Sequence, residues 1–174
     1  SIGVIPKAEG SARARLGDTE VVAGVKIQPE RPFPDTGDKG MLICTAEILP
    51  IAHPSAETGP PQPPVVELAR VTDRGIRESG MLDMKQLVLE KDKSVIGVFC
   101  DNAVTDHDGN LFDACSYAST AAINSCKIPK YEMQDEKPVK IEGEFIEPPI
   151  TCLLYTSPSS RDKRLSRMPS SALK

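Results

Sequence analysis

The chain has 174 residues, of which 39% are hydrophobic, with no tryptophan and only 4% aromatic residues. That length suits one domain, or one domain with a tail, and the apolar fraction is sufficient for an aliphatic core. The formal net charge of −4 excludes a surface that attracts polyanions everywhere, so any anionic partner must meet a local basic patch. No stretch is long and apolar enough to span a membrane and no signal peptide opens the sequence, so we expect a cytoplasmic protein.

The average charge conceals a break near residue 150. Residues 1–150 hold 16 basic and 24 acidic residues, whereas residues 151–174 hold five basic residues and one acidic residue. This second segment is rich in serine, arginine and proline and resembles translated sequencing-adapter sequence; a natural, basic disordered tail is the alternative. Because the chain also begins with Ser1 rather than methionine, we expect one domain over 1–150 that is truncated at both ends.

The first third of the sequence is typical of strands. Residues 11–16 alternate apolar and polar side chains, and after a tight turn residues 19–28 are interpreted as the partner strand, which predicts a β-hairpin. A loop rich in proline, aspartate and glycine follows over 29–39. Residues 41–49 are apolar on both faces, and this pattern favours a strand inside a sheet over one at its edge.

Two helices and two further strands are predicted downstream. A proline-rich loop over 50–64 leads into a helix over 65–79, which Gly80 ends. A strand over 94–105, a polar turn and a second helix over 111–126 follow, and the inward side chains of that helix are small. One more strand begins at 139. This order predicts an α+β domain with a mixed β-sheet and helices packed on one side.

Three arginines fall on one face of the first predicted helix. Arg70, Arg74 and Arg77 are spaced at i, i+4 and i+7, with apolar side chains on the opposite face. In an acidic domain such a line of guanidinium groups indicates an anionic ligand. The alternative is a solvated face with intrahelical ion pairs, such as Glu67 with Arg70 and Asp73 with Arg77.

Neither the cysteines nor the acidic turn predicts a metal site. Five cysteines without C-x-x-C spacing lie mostly in apolar segments, which indicates buried free thiols in a reducing compartment. Residues 106–110 contain Asp106, Asp108 and Asn110, but the glutamate that closes a calcium-binding loop is missing. A polar turn is therefore the better interpretation. We expect no metal and no cofactor.

Several ungapped segments occur in the order seen in RNase PH-like proteins. They are GSARARLGDT at 10–19, RPFPDT at 31–36, EILP at 47–50, GPP at 59–61, ELARVTDR at 67–74 and DGNLFDAC at 108–115. Over about residues 8–150 the chain resembles the non-catalytic RNase PH-like subunit of the archaeal exosome. The resemblance implies an RNase PH fold.

The resemblance also implies partners and a site. In that family this subunit alternates with a catalytic RNase PH-like sister subunit in a hetero-hexameric ring, and RNA-binding cap subunits cover one face. Single-stranded RNA threads the ring and is degraded from its 3′ end by phosphorolysis at the sister subunit. Arg70, Arg74 and Arg77 match RNA-contacting positions, with Arg77 the lesser candidate because Asp73 is placed to pair with it.

The residues at the turn before the second predicted helix indicate whether the chain can be catalytic. Catalytic members of the family place glycine, then serine or threonine, then arginine at this turn, whereas this chain has Gly109, Asn110 and Leu111. The arginine that would grip phosphate is absent, and Asp108 adds a negative charge that opposes an anion. The sequence therefore predicts a non-catalytic RNA-binding and structural subunit; the alternative is an active phosphorolytic 3′-to-5′ exoribonuclease of the RNase PH type.

Overall fold

In the described part of the chain, two long helices pack on a mixed β-sheet. The computed structural model describes residues 1–56, 59–134 and 137–151. Apart from Thr151, the basic segment predicted as a tail therefore lies outside the described residues. In chain order the elements are β1 (Gly10–Leu16), β2 (Thr19–Glu30), β3 (Met41–Ile48), α1 (Pro63–Glu78), a 3-10 helix (Met84–Leu87), β4 (Val88–Glu90), β5 (Ser94–Asp106), α2 (Leu111–Asn124), β6 (Ile128–Gln134) and β7 (Lys137–Ile146).

The strand order of the main sheet is β1-β2-β5-β3, and the short β4 also pairs with β5. β3 runs parallel to β5, and the other pairs are antiparallel. The prediction of a mixed sheet is thus confirmed, and the first two strands form the predicted hairpin.

The expectation that β3 lies inside the sheet is wrong. Among the described strands only β5 pairs with β3, so β3 lies at an edge. Its two-sided apolar pattern has another cause: Leu42 and Cys44 are buried on the face that α1 covers, and Ile43 is half-buried on the opposite face. Burial on both faces is therefore possible for an edge strand when a helix covers one face.

Both helices pack on the same face of the sheet, as predicted. In α2 the residues that turn inward are small, and Ala114, Ala118 and Ala122 are fully buried against β1 and β2. In α1 the buried positions Leu68, Thr72 and Ile76 recur every four residues and pack toward β3. Side chains at this spacing share one face of a helix, which explains why the hydrophobic period located α1 correctly.

The sequence did not predict β4, β6 or the 3-10 helix. β6 pairs with β7 in a separate two-stranded sheet, and only β7 was expected. Pro129 and the charged side chains of Lys130 and Glu132 concealed β6, because these residues are not typical of strands. The 3-10 helix and β4 were likewise missed. α2 ends at Asn124, two residues before the predicted end, and Ser125 caps it.

Four of the five cysteines lie in the described residues, and all four are buried free thiols, as predicted; they are Cys44, Cys100, Cys115 and Cys126. Burial raises the pKa of Cys115 and of Cys126 to about 12, so both thiols are protonated at neutral pH. Cys152 lies outside the described residues. Within the described part of the chain, no helix has both the length and the apolar character needed to cross a membrane.

Candidate functional site

An open groove of about 1190 Å³ lies between α1 and the edge strand β3. Residues 42–46 of β3 line one side, and the solvent-facing side of α1 lines the other. All three arginines of the predicted basic face, Arg70, Arg74 and Arg77, contribute to this lining. The structure therefore brings the three predicted site residues together in one groove.

The way α1 packs accounts for the position of the arginines. The helix begins at Pro63, where a missing backbone N–H costs nothing, and Val65 and Val66 donate their backbone N–H groups to the carbonyl of Gln62. Thr72 is buried, and its hydroxyl donates to the carbonyl of Leu68 at 2.9 Å. Because the face that contains Leu68 and Thr72 packs into the core, the opposite face, with the arginines, is exposed to solvent.

Arg77 differs from the other two arginines because its guanidinium is already engaged. Its Nη2 donates to the backbone carbonyl of Leu42 at 3.0 Å and lies 2.9 Å from a carboxylate oxygen of Asp73. The ion pair between Asp73 and Arg77 that the sequence offered as an alternative is therefore present. Arg77 joins the last turn of α1 to the start of β3.

Arg70 and Arg74 are exposed, and among the described residues neither forms a hydrogen bond or an ion pair within the chain. Glu67 also lines the groove, but the possible pair between Glu67 and Arg70 is not formed. The Cα atoms of Arg70 and Arg74 lie about one helical turn apart, about 6 Å along the axis. The two guanidinium groups can bind successive anionic groups of an extended ligand without giving up a hydrogen bond or an ion pair to the described residues.

The turn that precedes α2 is held against the β1–β2 hairpin by a buried threonine. The hydroxyl of Thr19 donates to the carbonyl of Gly109 at 2.7 Å and accepts from the backbone N–H of Asp108 at 2.9 Å. Asn110 follows in the left-handed region at φ 50°, a conformation that asparagine tolerates better than most residues. These contacts form the polar turn predicted here.

A carboxylate of the chain itself, that of Asp113, lies at the N-terminal end of α2. Asp113 lies in the first helical turn, where a carboxylate interacts favourably with the positive end of the helix dipole, and it accepts a hydrogen bond from the side chain of Asn110 at 2.9 Å. Asp108 lies in the preceding turn. Two carboxylates and no arginine at this position make a poor binding site for inorganic phosphate.

The comparison with protein families identifies the fold. The model of the 3′ exoribonuclease family, domain 1, known as RNase PH, matches residues 1–129. The chain belongs to this family. The RNase PH fold predicted from the sequence is thus confirmed, with the mixed sheet and two helices described above.

Two curated relatives are archaeal proteins. The chain is 52% identical over 139 residues to the exosome complex component Rrp42 of Methanocella arvoryzae, a match that covers 80% of this chain and 54% of the relative. It is 53% identical over 126 residues to the component of the same name from Archaeoglobus fulgidus, covering 72% and 49%. The chain thus spans about half the length of the curated relatives it matches.

Solved structures agree with this assignment. A chain of the Archaeoglobus fulgidus exosome with RNA bound to the active site aligns with a TM-score of 0.78 at 48% identity, covering 86% of this chain and 56% of that one. A chain of an archaeal exosome core aligns with a TM-score of 0.71 at 45% identity, covering 86% and 53%. The rice Rrp46 structure, at 19% identity and a TM-score of 0.57, shares the fold.

The attachment of Arg77 to the sheet was not predicted from the sequence. The carbonyl of Leu42 accepts from Arg77 across 35 positions in the chain, and no side-chain pattern marks a backbone acceptor. Val66 also lines the groove, one turn before Arg70, and was not predicted. The sequence could have indicated it, because Val66 lies four residues before Arg70 on the same face of the helix. The sequence therefore located the basic face but not its attachment to the sheet.

Proposed function

We propose that this chain is a non-catalytic RNA-binding and structural subunit of an exosome ring. It supports 3′-to-5′ RNA degradation and processing that a catalytic RNase PH-like sister subunit carries out. The observation that supports this proposal most strongly is the pair Arg70 and Arg74, two exposed guanidinium groups on one groove that have no hydrogen-bond or ion-pair partner among the described residues. The curated relatives named above are exosome components.

The partners follow from the same family membership. The proposed assembly is a hetero-hexameric ring of this subunit with its sister, covered by RNA-binding cap subunits and located in the cytoplasm. Single-stranded RNA is the anion that occupies the groove. Because guanidinium groups bind phosphates and not base edges, binding at Arg70 and Arg74 carries no sequence preference.

The proposed lack of catalysis is supported by the turn before α2. Phosphorolysis requires inorganic phosphate to be held beside the scissile phosphodiester, which demands cationic groups or free N–H donors. Here Asp108 and Asp113 supply negative charge, and the backbone N–H of Asp108 is already bonded to Thr19. The active phosphorolytic exoribonuclease is the competing function, and the chain lacks the arginine that it would need at this turn.

The first experiment tests RNA binding. Full-length protein carrying Arg70→Glu and Arg74→Glu is co-assembled with its sister subunit, and RNA affinity is measured by fluorescence anisotropy. We expect binding to weaken at least tenfold, since two attractive contacts become repulsive, while the ring elutes unchanged from a sizing column. A matched control, Arg15→Glu with Lys130→Glu, makes the same charge change away from the groove and should alter affinity far less.

The second experiment tests catalysis. The purified full-length subunit is incubated alone with RNA and inorganic phosphate, and nucleoside diphosphates are measured. We expect none above background, and full activity when the sister subunit is added. Release of nucleoside diphosphates by the isolated subunit would contradict the non-catalytic assignment and favour the active exoribonuclease.

A further inference from the structure

We propose that Asp73 and Arg77 form a clamp that positions the arginine face, and that Arg77 does not itself bind RNA. The inference rests on the proposed function, because it concerns how Arg70 and Arg74 are presented to that ligand. It changes the role of Arg77 from a binding residue to a positioning residue.

The contacts of Arg77 supply the first argument. Its Nη2 lies between two acceptors, the carbonyl of Leu42 at 3.0 Å and the carboxylate of Asp73 at 2.9 Å. The Asp73 side chain is only 20% exposed, whereas that of Arg77 is 52% exposed. Arg77 therefore shields a half-buried carboxylate, and moving its guanidinium to a phosphate would leave that carboxylate without its cation.

The location of the clamp supplies the second argument. Leu42 lies near the start of the edge strand, and its carbonyl is the only acceptor in β3 that an arginine of α1 reaches among the described residues. The buried side chains of α1, on the face that packs toward the sheet, are Leu68, Thr72 and Ile76. Packing of that kind resists separation of the two elements but opposes rotation of the helix about its axis less strongly, because it is not directional.

The geometry of the helix connects the clamp to the ligand. Side chains extend about 5–6 Å from the helix axis, so a rotation of about 10° moves a guanidinium by about 1 Å. That shift is enough to lose a well-formed hydrogen bond to a phosphate oxygen. Arg70 and Arg74 lie on the same face as Arg77, so a hydrogen bond that stops rotation at Arg77 also fixes their direction.

Two single substitutions of equal charge separate a clamp from a binding contact. Asp73→Asn and Glu67→Gln each remove one carboxylate from the groove, but only Asp73 is bonded to Arg77. If Arg77 binds RNA, both substitutions should tighten binding, because the groove becomes more positive. If Arg77 is a clamp, Glu67→Gln should tighten binding about twofold and Asp73→Asn should weaken it roughly threefold to tenfold.

The measurement is RNA affinity of the assembled ring, at constant salt and well below the unfolding temperature. Asp73→Glu restores the carboxylate and should recover most of the affinity, which a general loss of stability would not explain. Arg77→Lys keeps the charge but cannot reproduce the guanidinium contacts, so a clamp predicts weaker binding. A phosphate contact would tolerate lysine, since an ammonium also binds phosphate.

Tightening by both Asp73→Asn and Glu67→Gln would overturn the clamp, as would unchanged affinity in Arg77→Lys. These results are distinguishable from failure of the proposed function. If Arg70→Glu with Arg74→Glu leaves RNA affinity unchanged, the groove does not bind RNA and both proposals fall. If that pair weakens binding while Asp73→Asn tightens it, only the clamp is wrong.

Discussion

At Gly10, β1 packs tightly against the C-terminal end of α2 and the residues that follow it. A Cβ atom at this position would lie 2.8 Å from the Cα of Cys126 and would also meet the carbonyl oxygen of Ala122. Carbon atoms are optimally separated by about 3.5–4.0 Å, so α2 and β1 must move apart by about 1 Å. Both opposing groups belong to the backbone, and a change of rotamer cannot relieve the contact.

The substitution Gly10→Ala should therefore destabilise the chain by overpacking. Overpacked cores lose about 1–3 kcal/mol of unfolding free energy, and we expect about 2–3 kcal/mol here because backbone must move. The measurement is urea denaturation followed by far-UV circular dichroism, which suits a chain without tryptophan.

Gly24→Ala is the matched control. Gly24 lies on the adjacent strand β2 and pairs with Ser11, the residue after Gly10. Its added Cβ would meet only the Cδ1 of Ile5, at 3.3 Å, which is the end of a flexible side chain. We expect a change within about 0.5 kcal/mol. Equal stability of the two alanine variants would refute the argument that the contact between α2 and β1 requires glycine.

Two further predictions concern buried polar and thiol groups. In a Cys152→Ser variant, thiol reagents at pH 7 should label the four described cysteines only as fast as the chain unfolds, because all four thiols are buried. Burial also raises the pKa of Cys115 and Cys126 to about 12, which keeps both thiols protonated. Rapid labelling of the native chain would contradict this prediction. Asn102 accepts from the Ser119 hydroxyl at 2.8 Å and donates to a β3 carbonyl at 3.1 Å. Asn102→Leu should therefore lower the free energy of unfolding by about 2–3 kcal/mol, because it leaves the partners of both hydrogen bonds unbonded, whereas Ser119→Ala should lower it by about 1 kcal/mol. An unchanged free energy of unfolding in the Asn102→Leu variant would show that these bonds contribute little.

The sequence predicted the elements whose interacting residues lie close together along the chain. α1 was located by the four-residue recurrence of Leu68, Thr72 and Ile76, and the pairing of Asp73 with Arg77 was visible because both residues lie on one helix. The hairpin of β1 and β2 was visible for the same reason, since a tight turn joins its strands. In each case the interacting residues are close in sequence.

The features that the sequence did not reveal depend on distant residues. The edge position of β3 is determined by its parallel pairing with β5, which lies about fifty residues downstream, and two-sided apolarity does not distinguish an edge strand beneath a helix from a central one. The hydrogen bond from Arg77 to the carbonyl of Leu42 is equally non-local. For the candidate site, the sequence predicted which arginines share a face and that Asp73 can pair with Arg77, whereas the attachment of Arg77 to the sheet required the structure.

The salt dependence of RNA binding tests the central claim most directly, because it counts phosphate contacts. Each arginine that neutralises a phosphate of a single strand contributes about 0.7 to the slope of log affinity against log salt concentration. In the assembled ring, Arg70→Gln with Arg74→Gln should therefore reduce the slope by about 1.4, while Arg15→Gln, a control outside the groove, should leave it unchanged. A double variant with the slope of the parent ring would contradict the account, because Arg70 and Arg74 would then hold no phosphates.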